Sequence, residues 1–436
     1  MTTNKKDLST TADGADIFVL SQAGSSFTNN AKLTTSGALA SPIRGAANGL
    51  TIANKGTLTT SGDGSPGVTV GDLFGTHYDN VTVSNYGTIN ASGNLFDDGV
   101  TLAFPDGIDT YGNNERLINY GTISVASPDG AGMASIGMNC HLTNFGAINA
   151  GGAGLVVDTI DGTGGETGNT VINYGQIHTT ADGNFGIVCF TSDNVVKNFG
   201  TIQADGVFSY GIGLDTAGNH GENYGTILAT GDLSRGVLLT GEGSSFDNYG
   251  TIRTTGQDSI GARFSGEDLP GTDGGTFVNH GKIISAGWAV RGALADDRFV
   301  NYGSLIGKAD MGGGDDTFVA GKGGSLSGVL TLGAGDDLIV FEKGGGSLTV
   351  ADFNAGAGTD DVIDLSAFGY SSFAEVMSHA SQSGADVVLK LGGKDQIVLD
   401  NVTLSTLAAD DFTFAATTFA QSFSPVHVPQ GENLFG

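Results

Sequence analysis

The chain has 436 residues, of which 39% are hydrophobic, 15% are charged and 74 are glycine. The apolar content is too high for a disordered chain, and so much glycine is typical of a β-solenoid. Asp and Glu number 46 against 18 Lys and Arg, a net charge of −28 that opposes binding to nucleic acid or an anionic membrane and favours divalent cations as partners.

The N-terminal segment, residues 1–50, has no apolar run of signal-peptide length after Lys5 and Lys6. No stretch of the sequence reaches the ~20 apolar residues of a membrane-spanning helix. The chain is therefore expected either to stay in the cytoplasm or to leave by a route that needs no N-terminal signal. We expect residues 1–50 to form an N-terminal cap and a degenerate first coil, because a solenoid needs its exposed strand edge covered.

A pentapeptide, NYGTI, then repeats along the chain in identical or relaxed copies that are 22 to 34 residues apart. The copies begin at Asn54, Asn85, Asn119, Asn144, Asn173, Asn198, Asn223, Asn248, Asn279 and Asn301. In each repeat a second short strand follows a glycine and a third precedes the next asparagine, and no interval is long enough for a helix. The sequence predicts an all-β fold, a right-handed parallel β-helix of about ten to eleven coils, with the repeats in residues 51–309.

Three positions of the repeat form predicted columns along the stack. The last position is Ile or Leu in every copy, which predicts a buried core column, and the residue after it should face solvent. The invariant Asn suits either a turn residue with positive φ or a ladder of side-chain amides from coil to coil. The second position is mostly Tyr or Phe, which predicts stacked rings that serve packing or, alternatively, a stripe for carbohydrate binding.

Longer intervals between the strands predict loops that project from the coils and are candidates for ligand binding. They span Gly71 to Asn80, Asn94 to Pro105, Asp161 to Asn169 and Gly266 to Gly275. Asp158 and Asp215 are predicted to share a column two coils apart, with Asp109 nearby, and paired carboxylates can perform acid/base chemistry. Phe190 lies between them and no Lys, Arg or His shares their register, so catalysis is not expected there. The segment that comes nearest to a catalytic cluster is His77-Tyr78-Asp79, in the first of these loops.

After Tyr302 the composition becomes strongly acidic, with 16 Asp and Glu against 4 Lys and no Arg in residues 310–411. Two short segments, GGGDDTF and GAGDDLI, lie 21 residues apart and fit the end of a glycine-rich nonapeptide pattern that binds calcium. The predicted metal residues are Gly312, Gly314, Asp315, Asp316, Gly333, Gly335, Asp336 and Asp337. Carboxylate and carbonyl oxygens suit Ca²⁺, although the same residues also form ordinary solvated turns.

The segments Val350 to Gly369 and Gly384 to Phe414 resemble the C-terminal region of repeats-in-toxin (RTX) proteins. The matching residues are Asp352-Phe353, Asp361, Ile363 to Ser366, Gly384, Asp386, Leu389, Asp395, Ile397, Leu399, Leu407 and Asp411-Phe412. The resemblance covers about residues 310–414 and implies an RTX-like calcium-binding β-roll or β cap, a C-terminal signal for type I secretion machinery, and an extracellular location in a Gram-negative bacterium. Residues 415–436 form an unassigned C-terminal tail.

The NYGTI coils resemble the repeats of bacterial adhesin and autotransporter passengers. The sequence thus favours a secreted, calcium-binding surface or matrix protein, either an adhesin or a subunit of an S-layer or fibre that self-associates or contacts surface polysaccharide. It does not favour an enzyme, because the cluster of Tyr, His, Asp and Arg or Lys used by polysaccharide lyases and epimerases is not evident. A polysaccharide-binding or polysaccharide-modifying β-helix protein is the alternative.

Overall fold

The computed structural model describes residues 1–159, 167–265, 273–358 and 361–414. Most strands have three or four residues, because each is bounded by turns rich in Gly, Asn and Asp. Apart from a projecting hairpin and three strands near the C-terminal end, each described strand pairs in parallel with the equivalent strand of the next coil. Three columns of strands run along the stack. The fold is therefore a parallel β-helix, as predicted.

The first column contains the strands that lead into the repeated Asn and forms a sheet of sixteen strands. These strands are Thr2–Asn4, Ser26–Asn29, Thr51–Asn54, Thr82–Asn85, Arg116–Asn119, His141–Asn144, Thr170–Asn173, Val195–Asn198, His220–Asn223, Ser245–Asn248, Asp273–Asn279, Asp296–Asn301, Thr317–Ala320, Leu338–Phe341, Val362–Asp364 and Phe412–Thr413.

The second column follows the repeated Tyr-Gly pair. Its strands are Leu8–Thr10, Lys32–Thr35, Thr57–Thr60, Thr88–Ala91, Thr122–Val125, Ala147–Ala150, Gln176–Thr179, Thr201–Ala204, Thr226–Ala229, Thr251–Thr254 and Ser325–Leu326. Two longer strands, Lys282–Arg291 and Ser304–Asp310, belong to this column and continue into the third.

The third column contains Phe18–Leu20, Ile43–Gly45, Val68–Val70, Ile108–Tyr111, Met133–Ile136, Leu155–Asp158, Phe185–Cys189, Tyr210–Asp215, Arg235–Thr240, Ile260–Ser265, Leu330–Thr331 and Ser347–Val350. A separate antiparallel hairpin, Phe96–Asp97 with Leu102–Ala103, projects from one loop. Short helices lie only near the C-terminal end of the described chain, at Ser366–Phe368, Phe373–Met377 and Leu404–Thr406. None of the helices in the described ranges is long and apolar enough to cross a membrane.

The Ile column forms the centre of the core, as predicted. From Leu58 to Leu305 its members are at most 1% exposed, whereas the following residues are half-buried or exposed. Glycine makes room for this packing, because a Cβ added to Gly186 would lie 2.2 Å from Cγ2 of Ile202. Successive coils also approach closely at the turn, where a Cβ on Gly200 would lie 2.0 Å from the carbonyl oxygen of Gly175. The repeat therefore requires its glycines for close approach.

The repeated Asn side chains form a continuous amide ladder, the second of the two roles considered for them. Each Nδ2 donates to Oδ1 of the next Asn at 2.8–2.9 Å, from Asn4 through Asn301. Backbone groups satisfy both ends, because the N–H of Lys6 donates to Asn4 and Asn301 donates to the carbonyl of Ser325. The ladder fixes the register of the first column through buried hydrogen bonds.

The stack extends beyond the repeats on both sides. Within residues 1–50, which the sequence predicted as a cap and a degenerate coil, Thr2–Asn4 and Ser26–Asn29 pair in the register of the later coils. Beyond residue 310 the first column continues in parallel to Phe412–Thr413. The strands Ala380–Ser383, Asp386–Gly392 and Asp395–Leu399 then pair antiparallel and cover the last third-column strand. The change in composition near residue 310 thus falls within one stack.

Candidate functional site

The predicted calcium residues lie in equivalent turns just before two first-column strands. Asp315 and Asp336 are exposed, whereas Asp316 and Asp337 are each 1% exposed. Strands Thr317–Ala320 and Leu338–Phe341, which follow these turns, pair in parallel, so the turns lie on neighbouring coils. The two turns therefore bring the carboxylates of Asp316 and Asp337 onto adjacent coils.

The buried carboxylates form an inner ladder that continues beyond the two predicted turns. The backbone N–H of Asp297 donates to Oδ1 of Asp316 at 2.7 Å, and that of Asp316 donates to Oδ1 of Asp337 at 2.9 Å. The N–H of Asp337 in turn donates to Oδ1 of Asp361 at 3.3 Å. One oxygen of each acceptor thus bonds to the neighbouring coil, which links the C-terminal coils through buried carboxyl groups.

An outer ladder runs beside it in the opposite sense. The N–H of Asp315 donates to Oδ1 of Asp296 at 2.8 Å, and the N–H of Asp336 donates to Oδ1 of Asp315 at 2.9 Å. The predicted glycines, Gly312, Gly314, Gly333 and Gly335, all have positive φ between 102° and 139°. The turn thus requires glycine at these four positions, because other residues rarely adopt this backbone region.

The inner ladder is electrostatically unfavourable when every carboxylate is ionised. Oδ2 of Asp316 and Oδ2 of Asp337 are buried and have no hydrogen-bond partner. Burial, followed by neighbouring carboxylates such as Asp297, raises the pKa of Asp316 to about 10. Burial and the charge of Asp361 likewise raise the pKa of Asp337 to about 7. These groups need protons or a bound cation to remain buried at neutral pH.

The ladder is better suited to a cation bound between two coils than to one enclosed by a cluster of side chains. Within the described ranges, no group of three or more His, Cys, Asp or Glu side chains is arranged to hold one metal ion. Asp316 and Asp337 each offer one unbonded oxygen, so backbone carbonyls or water would have to complete the coordination of a calcium ion. The sequence interpretation missed Asp296 and Asp297, which begin both ladders in the turn GALADDRF.

The aromatic column is a stack of rings with exposed edges. From Tyr86 to Tyr302, neighbouring ring centroids lie 4.8–5.2 Å apart and the ring planes are nearly parallel, with His280 in the one position not predicted to be aromatic. Seven of the rings are 41–51% exposed. Lys55 lies over the face of Tyr86 at one end of the column. Because the ring faces cover each other, they are not free to stack against sugar rings. The column therefore fits a packing role better than a carbohydrate-binding role.

The acidic pairs considered for catalysis have structural partners. Asp158 and Asp215 share a column, as predicted, and Oδ1 of Asp215 accepts a hydrogen bond from Thr240 Oγ1 at 2.7 Å. In the segment His77-Tyr78-Asp79, Oδ1 of Asp79 accepts the backbone N–H of Asn113 at 2.8 Å. Neither arrangement presents a pair of free acid and base groups. The predicted loops Asp161 to Asn169 and Gly266 to Gly275 lie largely outside the described residues.

Comparisons with known proteins agree with the fold. The model of the BigA third pectate lyase-like domain matches residues 1–153. A 92-residue stretch is 32% identical to the endo-1,3-1,4-beta-glycanase ExsH of Rhizobium meliloti (strain 1021), and covers 20% of this chain and 19% of that protein. The endo-1,3-1,4-beta-glycanase EglC of the same organism is 31% identical over 92 residues, with the same coverage. The chain thus spans about a fifth of the length of these relatives.

Proposed function

We propose that the chain is a secreted, calcium-binding β-helix protein of the surface or matrix of a Gram-negative bacterium, acting as an adhesin or as a structural subunit of a layer or fibre. The observation that supports this most directly is the inner carboxylate ladder of the C-terminal coils. Its buried, unbonded oxygens need either protons or a bound cation at neutral pH, and we propose that calcium supplies the positive charge. In the calcium-poor cytosol these coils would remain unfolded, and they would fold only after export, when calcium binds. Secretion and folding would then be coupled.

Thermal melting with about 10 mM calcium or with chelator tests the proposal. Extracellular sites bind calcium with a Kd of ~10⁻⁴–10⁻³ M, so each occupied site should stabilise the fold by about 1.4–2.7 kcal/mol. The double variant Asp316→Asn/Asp337→Asn keeps the acceptor oxygens of the ladder but removes two charges. It should melt at least as high as the wild type in chelator and gain little from calcium.

Asp129→Ala, at an exposed turn far along the stack, is the matched control and should respond to calcium as the wild type does. If chelator leaves the wild-type melting temperature unchanged, the calcium proposal is wrong. A calcium response that persists in the double variant would place the ion elsewhere on the chain.

A polysaccharide-binding or polysaccharide-modifying role is the second candidate. Its support is the match of residues 1–153 to a pectate lyase-like domain model together with the two glycanase relatives. Incubating the purified chain with a panel of polysaccharides, while measuring reducing ends and unsaturated products, distinguishes binding from cleavage. Turnover of any substrate would favour an enzyme over the surface or matrix protein.

A further inference from the structure

A polar row on the third column forms the floor of a cleft near the N-terminal end of the described stack. Arg44 pairs in register with Thr69, and Thr69 pairs with Asp109, so the three residues occupy one column on successive coils. The next residue in the column is Ala134. The row therefore presents one positive, one neutral polar and one acidic group over about 10 Å.

Two of the predicted loops form the walls above this row. Residues 71–75 contribute Leu73 and Phe74, and residues 100–104, which include one strand of the projecting hairpin, contribute Leu102 and Phe104. The cleft has a volume of about 340 Å³, at the small end of the range for ligand pockets. Phe74 is 75% exposed at the mouth, so its ring is free to contact a ligand.

Asp109 is the acidic group at the bottom of the cleft. It is 4% exposed, and its Oδ1 is buried without a hydrogen-bond partner. Burial raises the pKa of Asp109 to about 7, and the neighbouring Tyr111 hydroxyl opposes that rise. The unbonded Oδ1 of a buried carboxyl group is a strong acceptor that a ligand hydroxyl can satisfy.

We propose that this cleft binds one neutral sugar unit of a polysaccharide, with Phe74 against the apolar face of the sugar ring and Asp109 accepting hydrogen bonds from its hydroxyl groups. The inference deepens the polysaccharide-related candidate function and does not depend on the calcium proposal. Apolar walls with a small number of fixed polar groups are the usual composition of a small-ligand site. A sugar, which has an apolar face and a rim of hydroxyls, matches that composition.

The charges in the cleft disfavour an acidic sugar. Arg44, the cation of the row, already contacts Asp72 and lies 3.9 Å from Asp16. Its charge is therefore offset before a ligand arrives, and Asp109 adds a further acid. Asp106 is also buried, and burial raises its pKa well above the usual range, so the negative charge around the cleft comes from Asp16, Asp72 and Asp109. A uronate would meet net negative charge here, so we expect the cleft to discriminate against polymers of uronic acids.

Calorimetric titration of the full chain with three sets of oligosaccharides tests the proposal. The sets are neutral glucans, galactans and mannans, anionic oligogalacturonates, and cationic chitosan oligomers. A neutral oligomer should bind most tightly. Phe74→Ala should raise its Kd at least about tenfold without lowering the melting temperature, because the side chain is exposed. Asp109→Asn should raise that Kd by a similar factor, because it replaces one carboxyl oxygen by an amide NH2 group that cannot accept a hydrogen bond.

Asp215→Asn is the control for Asp109→Asn, because Asp215 is a half-buried carboxylate on another coil. It should leave binding unchanged. Wild-type affinity in Phe74→Ala and Asp109→Asn would overturn the site while leaving a polysaccharide role intact. Tighter binding of the anionic or cationic oligomers would overturn the neutral specificity. Absence of binding to every set would overturn both the site and the polysaccharide-binding form of that role.

Discussion

The amide ladder should be cooperative, so removing one amide from its middle should be costly. Asn198 lies mid-ladder and is completely buried. Its Oδ1 accepts from Asn173 at 2.8 Å, and its Nδ2 donates to Asn223 at 2.8 Å. Asn198→Ala therefore leaves a donor on one neighbouring coil and an acceptor on the other without their partners.

The expected cost follows from these two groups. An unsatisfied buried polar group costs about 1–3 kcal/mol, so Asn198→Ala should lower the free energy of unfolding by about 2–6 kcal/mol. The upper part of the range is moderated because Asn173 keeps weaker contacts to the carbonyls of Gly175 and Thr201, at 3.3 and 3.5 Å. Asn149→Ala removes the same side chain from the outward position of the second column, where it is exposed. It should change stability by less than about 0.5 kcal/mol.

Urea unfolding followed by circular dichroism provides the measurement, with both variants compared at equal protein concentration. The slope with denaturant should stay near the wild-type value, because the surface buried by folding hardly changes. If Asn198→Ala and Asn149→Ala lose the same small amount of stability, the amide ladder does not stabilise the fold, and the asparagine would be required only for its turn geometry.

Three further predictions address the core, the buried acids and export. Ile177→Asp should cost several kcal/mol because it places a charge in the core. His178→Ala removes only a half-buried contact with Asp205 at the surface and should cost less than about 1 kcal/mol. Equal losses in melting temperature would mean that the register is wrong. Burial raises the pKa of Glu115 to about 8, above its unfolded value of ~4.3, so its contribution to stability is complete below pH ~4 and is lost as pH rises through 8. The melting temperature should therefore fall between pH 5 and pH 9, and Glu115→Gln should reduce that fall. If the melting temperature of the variant falls as much as that of the wild type, other groups cause the pH dependence. Removing residues from Val350 onward should retain the protein inside the producing cell, and normal secretion of the shortened chain, measured in the culture medium, would contradict the proposed C-terminal signal.

The repeating core was predictable from the sequence because each coil repeats the same local pattern. The Ile column and the Asn ladder recur at a fixed offset from NYGTI, so aligning the copies is enough to align the coils. Burial of Asp316 and Asp337, with exposure of Asp315 and Asp336, was not predictable from the motif alone. It depends on which way each side chain points in a glycine-rich turn.

The cleft could not be predicted, because its residues come from coils of unequal length. Arg44 and Thr69 are 25 residues apart, whereas Thr69 and Asp109 are 40 apart, and only the pairing of the strands aligns all three. The turn that contains Asp296 and Asp297 was missed for a related reason. It has Ala295 where the two predicted motifs have Gly, and it lies before the last NYGTI-like copy.

The amide ladder keeps the same hydrogen-bond geometry whatever the number of residues in a coil, so coils of different length stack equally well. Asn85 and Asn119 are 34 residues apart and Asn279 and Asn301 only 22, yet the amide hydrogen bonds between them measure 2.8 and 2.9 Å. A segment added between two strands therefore changes what the surface displays without moving the neighbouring rungs. For protein engineering, the turn that joins the two hairpin strands Phe96–Asp97 and Leu102–Ala103 is therefore a site where a foreign peptide can be grafted. The stacked coils should keep their register after such an insertion.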